Sequence, residues 1–243
     1  MYVLGIEAAT PVAAAGIINR EKILSERLVN NRRTHSINLL PMIKAVLEDA
    51  GLESSDLGGI AVSSGPGSFT GLRIGLATAK TLAQVWELPI VGVSTLDTLA
   101  YAFWGHDNLV CPILNARKNE VYTAVYRFSN IHRECLAGPL AISIQELIEI
   151  LDKYGSRVTF VGDGVPVYQE ELIKYFGKRA VFAPPALSFP RGAVTAQLGM
   201  EKFKQGLGVK PLDLLPEYLR LSEAEVVWLR KQEALKTENE AGI

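Results

Sequence analysis

The sequence predicts a mixed α/β protein made of two successive units of one kind, each ordered βββαβα. Three observations carry that expectation. Apolar runs of strand length and stripes of helical spacing follow one another in an order that restarts near residue 107. An apolar strand at 59–63 runs into a loop of Gly65, Pro66, Gly67, Ser68, Phe69, Thr70 and Gly71, and a helix follows directly. With 243 residues, 48% apolar and 21% charged, the chain has material for one large or two small domains with real cores.

The elements follow in order. Tyr2 to Glu7 and Val12 to Asn19 are apolar runs separated by a Thr-Pro turn. Lys22 to Asn30 alternates apolar and polar residues after a tight connection, as an antiparallel partner would. A helix spans 36–50, with Leu39, Ile43, Val46 and Ala50 on one stripe and Leu40 and Leu47 on another; Gly51 ends it. After the glycine loop a helix runs from Leu72 to Glu87 and Pro89 stops it; 89–93 is a short strand and Thr95 opens another helix. In the second unit, 109–115, 120–128 and 132–140 read as strands. Ser143 and Glu146 form a capping box for a helix to about Tyr154, followed by a strand at 157–162, a helix at 166–176, a short strand at 180–182 and a helix at 192–205. A Pro-punctuated arm and a short helix from Glu223 complete the chain. This order resembles the actin-like (ASKHA) group, so the expected architecture is two tandem ribonuclease H-like subdomains at 1–106 and 107–208. The 192–205 helix is free to pack back on the first half, and the arm occupies 209–243.

Composition excludes several classes. Twenty-five basic against 26 acidic residues give a net charge of −1, with no global attraction to nucleic acid. The pairs Arg32-Arg33 and Arg230-Lys231 read as solvated surface. Cys111 and Cys135 form no close-spaced motif, which argues against a zinc knuckle or a disulfide framework. No signal peptide or membrane-length apolar run is evident, so a reduced, cytoplasmic protein is expected.

The glycine loop invites a phosphate, because free backbone N–H groups and the helix dipole meet at such a join. Neither phosphate pattern fits: no Gly-Lys pair follows Gly65 or Gly67, and Thr70 stands where a dinucleotide fingerprint needs its last glycine. Gly65, Gly67, Ser68 and Thr70 therefore either touch an anion or merely turn the chain and cap the helix. In actin-like phosphotransferases the first hairpin carries an Asp that helps hold Mg²⁺. Here Glu7 and Thr10 occupy that hairpin, either as ligand contacts or as a strand end packed in the core. Gly162-Asp163-Gly164 is a ligand contact or a plain turn. His35, His106 and His132 lie far apart and supply no metal pair, and no nucleophile elbow is present. The expectation is no catalytic residue and no metal.

The helix after the loop is nearly uncharged on its second face. Leu72, Leu76, Ala79, Ala83 and Trp86 face its own sheet, while Ile74, Ala77, Thr78, Thr81 and Val85 point elsewhere. Gly71, Gly75 and Thr78 leave a shallow strip for a second helix. With Leu39, Ile43 and Val46 of the preceding helix, these residues form the expected partner face; the alternative is burial under another layer of the same chain.

Several motifs carry a family resemblance. These are the run from Gly65 to Leu76, His35-Ser36 before Leu39-Leu40-Pro41, Val93-Ser94-Thr95-Leu96, and Ala116-Arg117 with Glu120-Val121-Tyr122, together with Gly162-Asp163-Gly164 and Pro216-Glu217-Tyr218-Leu219-Arg220. Over residues 1–221 the chain resembles the TsaB (YeaZ) family, accessory proteins of tRNA threonylcarbamoyladenosine synthesis. The resemblance implies a non-catalytic scaffold that pairs with a larger catalytic paralogue, TsaD, and with the ATPase TsaE. It implies a homodimer when alone, through the same first two helices, and tRNA reached through the complex. It implies no cofactor of its own, with ATP and Mg²⁺ entering only through the complex. Glu7, Ile37 and Asn115 depart from acids at family positions (Asp, Glu and Asp), and the His-x-x-x-His pair through which the catalytic relative holds its metal is absent here. Competing readings are a small-molecule kinase or ATPase of the same fold and, third, a metallopeptidase-like protein.

Overall fold

The computed structural model describes residues 1–31, 34–116, 119–129, 132–220 and 228. Arg32, Arg33, Arg117, the pair Arg230-Lys231 and the helix expected from Glu223 lie outside the described residues. The first half builds a five-stranded sheet from β1 (Tyr2–Glu7), β2 (Ala13–Ile18), β3 (Ile23–Val29), β4 (Leu57–Gly65) and β5 (Ile90–Ser94), in the order β3-β2-β1-β4-β5. β1, β2 and β3 pair antiparallel; β4 and β5 join parallel. Helices α1 (His35–Ala50), α2 (Phe69–Val85) and α3 (Thr95–Tyr101) lie between and after them.

The second half repeats the pattern. Its sheet runs β10-β9-β6-β7-β8, from β6 (Leu109–Asn115), β7 (Glu120–Ser129), β8 (His132–Ser143), β9 (Val158–Val161) and β10 (Ala180–Phe182). Here too the first three strands pair antiparallel and the last two parallel. Helices α4 (Ile144–Asp152) and α5 (Val165–Phe176) precede α6 (Gly192–Lys204). Two sheets of one topology make this a pair of ribonuclease H-like subdomains.

Period-two alternation places the core. In β1, Leu4 and Ile6 face α1 and α2, whereas Val3 packs with Ala193, Ala196 and Met200 of α6. The last helix of the second half thus covers the first half's sheet. It comes so close that a Cβ on Gly5 would collide with the Gly192 carbonyl and the Ala196 amide. β1 and β2 are buried on both faces, which explains their continuous apolar runs.

Some boundaries differ from the sequence expectation. α2 starts at Phe69 rather than Leu72, because Ser68 Oγ accepts the Gly71 N–H at 3.3 Å and starts the helix one turn earlier. β8 continues to Ser143, which pairs with Glu120, so it runs into the capping box of α4 without a loop.

Candidate functional site: the glycine loop and the helix pair behind it

The loop and the first hairpin bond largely to one another, while Glu7 Oε2 and His35 Nδ1 are buried with no partner among the described residues. Gly65 ends β4 with φ +132, and its peptide bond to Pro66 is cis. The Ser68 N–H donates to the Ala9 carbonyl at 2.7 Å. A Cβ on Gly67 would strike the Ala9 carbonyl, one on Gly71 the Ala8 carbonyl, and one on Gly65 the Glu217 carbonyl. The glycines let the loop lie directly on the backbone of the first hairpin and of the arm. Thr70 sits exposed in the first turn of α2. The geometry is that of a packed join.

Glu7 and Thr10 close the hairpin side. Glu7 is fully buried; its Oε1 accepts the Ala9 N–H at 2.7 Å, and Oε2 has no partner among the described residues. Burial pushes its carboxyl from the usual 4.5 up to about 7, against the opposing pull of the Ala9 N–H and the Ser63 hydroxyl. Thr10 Oγ1 accepts the Val12 N–H at 3.3 Å, and the Thr10 carbonyl accepts from His35 Nε2 at 2.9 Å. His35 opens α1 and also lies against Gly71, so the hairpin, α1 and α2 meet at one imidazole. Gly162-Asp163-Gly164 is a turn folded on β6: the Gly164 N–H donates to the Ile113 carbonyl at 2.9 Å, and Asp163 Oδ1 accepts the Asn115 N–H at 3.1 Å. Burial also raises the Asp163 carboxyl. Among the described residues, no three His, Cys, Asp or Glu side chains gather as a metal-binding group.

The arm completes this region. Val209 and Ile90 exchange both backbone hydrogen bonds, and Lys80 Nζ donates to the Leu212 and Leu214 carbonyls. Glu217 N–H donates to the Ser64 carbonyl at 2.7 Å. Phe69 packs against Tyr218, with ring centroids 4.6 Å apart, and against the Arg73 guanidinium, 3.8 Å from its centroid, while Arg73 Nε donates to the Tyr218 hydroxyl at 3.2 Å. Arg220 then reaches the second half, donating to the Ala116 carbonyl at 2.7 Å and pairing with Glu120 at 2.9 Å.

The expected partner face splits in two. Leu39, Ile43 and Val46 are 0–2% exposed and belong to the core between α1, α2 and the first sheet. Gly71 and Gly75 are buried against Ala8. This corrects the assignment of those residues to an outward face: the longest apolar stripe of an amphipathic helix is taken by its own sheet. What remains outside is Ala77, Thr81 and Val85, the last 72% exposed, with Ile74 and Thr78 half-buried at the edge. Alongside them stand Ile37 and Leu40 of α1, 58% and 54% exposed. Ile37 and Leu40 are additions to the expected face; Leu40 lies with Leu47 on the second apolar stripe of that helix, which is the signal for it in the sequence.

Comparisons with known proteins agree with the topology. Residues 22–228 match the family model described as TsaD: tRNA N6-adenosine threonylcarbamoyltransferase. The tRNA threonylcarbamoyladenosine biosynthesis protein TsaB of Bacillus subtilis is 31% identical over 96% of this chain and 100% of its own. The TsaB of Haemophilus influenzae is 30% identical over 94% of this chain and 96% of its own. The solved structure of YeaZ from Pseudomonas aeruginosa superposes with a TM-score of 0.74 at 23% identity, covering 90% of this chain and 99% of that one. With its duplicated sheets, its packed glycine loop and a full-length relative of that name, the chain belongs to the TsaB (YeaZ) family of tRNA threonylcarbamoyladenosine biosynthesis proteins.

Proposed function

We propose that the chain is a non-catalytic activating subunit. It would support threonylcarbamoyl transfer to the adenosine beside the anticodon in tRNAs that read codons beginning with adenine. Its partners in this reading are the catalytic paralogue TsaD and the ATPase TsaE; tRNA, ATP and Mg²⁺ meet it only through the complex. The observation that carries the reading is the contrast between the loop and the helix pair. The loop that would hold a phosphate is filled by the chain's own Ala8, Ala9 and Glu217 backbone. The outer side of α1 and α2 is left uncovered, with Ile37, Leu40, Ala77, Thr81 and Val85 exposed and the charges of Arg73, Lys44 and Glu48 flanking them. Faces of this kind suit a four-helix contact between two such pairs, formed with the paralogue or, in its absence, with a second copy.

Reconstitution tests the proposal. The purified chain alone, given tRNA, ATP and threonylcarbamoyl-adenylate, should form no modified adenosine. Adding it to TsaD and TsaE should restore turnover that those two lack. Modification by the isolated chain would overturn the reading. Tight stoichiometric binding of Mg-ATP to the monomer in a calorimeter would instead favour a kinase or ATPase.

A further inference from the structure

The arm runs beside α2 with two leucines turned outward. Lys80 Nζ pins its backbone by donating to the Leu212 and Leu214 carbonyls, at 3.2 and 2.9 Å. Leu214 packs in against the first sheet's core, while Leu212 and Leu215 are left 75% and 71% exposed. At about 100° per residue around α2, Arg73, Lys80 and Gln84, which face the arm, lie on one flank of the exposed strip of Ala77, Thr81 and Val85. α1 packs on the opposite flank, where His35 lies against Gly71. The strip is thus the floor of a trough, with Ile37 and Leu40 of α1 on one bank and Leu212 and Leu215 on the other.

The two banks match in height. α1 and α2 each link parallel strands of one sheet, so they run in the same direction. With His35 level with Gly71 and both helices rising about 1.5 Å per residue, Leu40 stands near the height of Leu76, Lys44 near Lys80 and Glu48 near Gln84. The arm descends the other way: Tyr218 is bonded to Arg73, Leu212 and Leu214 to Lys80, and Lys210 shares a cavity wall with Gln84. Leu215 therefore stands near the height of Leu40, Asp213 near that of Lys44, and Lys210 near that of Glu48. At both charged heights one bank carries a base and the other an acid.

We propose that the trough seats α1 of a second copy of this chain, about a two-fold axis running along the helices. This rests on the reading of the outer α1–α2 face as a pairing surface, and adds the arm to it. Such an axis keeps height and exchanges the banks, so α1 of each copy enters between α2 and the arm of the other. Leu40 of one copy then meets Leu215 of the other, Lys44 meets Asp213 and Glu48 meets Lys210, each contact occurring twice by symmetry. A stable contact takes roughly 20–30 residues a side, more than the exposed part of two helices supplies. The arm widens the face and removes from water the two leucines that its bonds to Lys80 otherwise hold there.

Cross-linking tests this arrangement. Cys111 is buried and Cys135 exposed, so in a Cys135→Ser background an introduced surface thiol is the reactive one. A short bismaleimide should join Leu40→Cys chains to Leu215→Cys chains at least about tenfold faster than it joins either variant to itself. By sedimentation, Asp213→Lys or Lys44→Glu alone should weaken the dimer about fivefold, and the two together in one chain should restore it. Self-joining of either variant as fast as the mixture would set like banks together and overturn the proposal while leaving the face a pairing surface. A chain that pairs, and loses pairing on Val85→Glu, yet gives no mixed cross-link would do the same. A chain monomeric at every concentration would overturn the proposal together with self-pairing, leaving the trough to the segment beyond residue 220 or to another protein; reconstitution with the paralogue judges the functional reading separately.

Discussion

Glu7, buried with one carboxylate oxygen unpartnered, makes the stability of the fold depend on pH. Burial raises its carboxyl from 4.5 to about 7, so the folded chain holds that proton more tightly than the unfolded chain does. Its contribution is most favourable below the unfolded value and is lost as pH rises through about 7, a decline of roughly 3 kcal/mol at the limit. Glu7→Gln keeps an acceptor for the Ala9 N–H and removes the charge. Its melting temperature should exceed that of the parent at about pH 8, by the equivalent of roughly 1–3 kcal/mol, and should be flat from about pH 5 upward. A parent whose melting temperature does not fall across that range would refute the assignment. The sequence made this residue visible only as a carboxylate at a strand end. It left open whether the carboxylate faces ligand or core, because the neighbours that desolvate it come from β4 and the hairpin. The loop glycines were legible as special in the same limited way. What they avoid, the Ala8, Ala9 and Glu217 carbonyls, is long-range packing that no local pattern encodes.

Periodicity located α1, α2 and the strands well, since apolar spacing records which side of an element is dry. It could not say which of two apolar stripes on α1 is dry because of its own sheet. Leu39, Ile43 and Val46 proved to be that stripe, and Ile37 and Leu40 lie outside it. The distinction yields a paired prediction. Val85→Glu or Thr81→Arg places a charge on the exposed face; it should weaken pairing with the paralogue at least about thirtyfold, some 2 kcal/mol, on a sizing column or by titration. The melting temperature of the isolated chain should stay within about 2 °C of the parent, as for an ordinary surface change. Leu39→Ala should do the reverse, costing about 2–5 kcal/mol of folding stability through the cavity it leaves. Wild-type pairing by the charged variants would remove this face from the proposed assembly. Helix ends were read less well, because α2 begins where one serine hydroxyl meets one amide, a bond decided by local geometry.

The duplicated architecture was plain from element order alone, because each βββαβα run with the strand that follows it closes one five-stranded sheet. The arm's path was not, since its anchors are single contacts scattered over both halves. It crosses from the Ile90 edge, over α2 and the glycine loop, to the β6–β7 end of the second sheet. Tyr218 and Arg220 hold its far end, so the double substitution Tyr218→Ala, Arg220→Ala should loosen it selectively. The Glu217 amide should exchange with deuterium about tenfold faster, the equivalent of roughly 1.4 kcal/mol of local closure. The Ile90 and Val209 amides at the near anchor should be unchanged. Equal acceleration at both ends would mean that the arm opens as one piece.

The placement of α6 has a consequence in time. The first sheet is complete in sequence at Ser94, yet one of its faces waits for a helix that begins at Gly192, about a hundred residues later. On a ribosome adding about 5–20 residues per second, that face stays bare for roughly 5–20 s after its last strand is made. Nascent chains should therefore be vulnerable to sticking and to chaperone capture through Val3, Ala61 and Val91 for that interval, and the first half cannot be sealed until Gly192–Lys204 has been made.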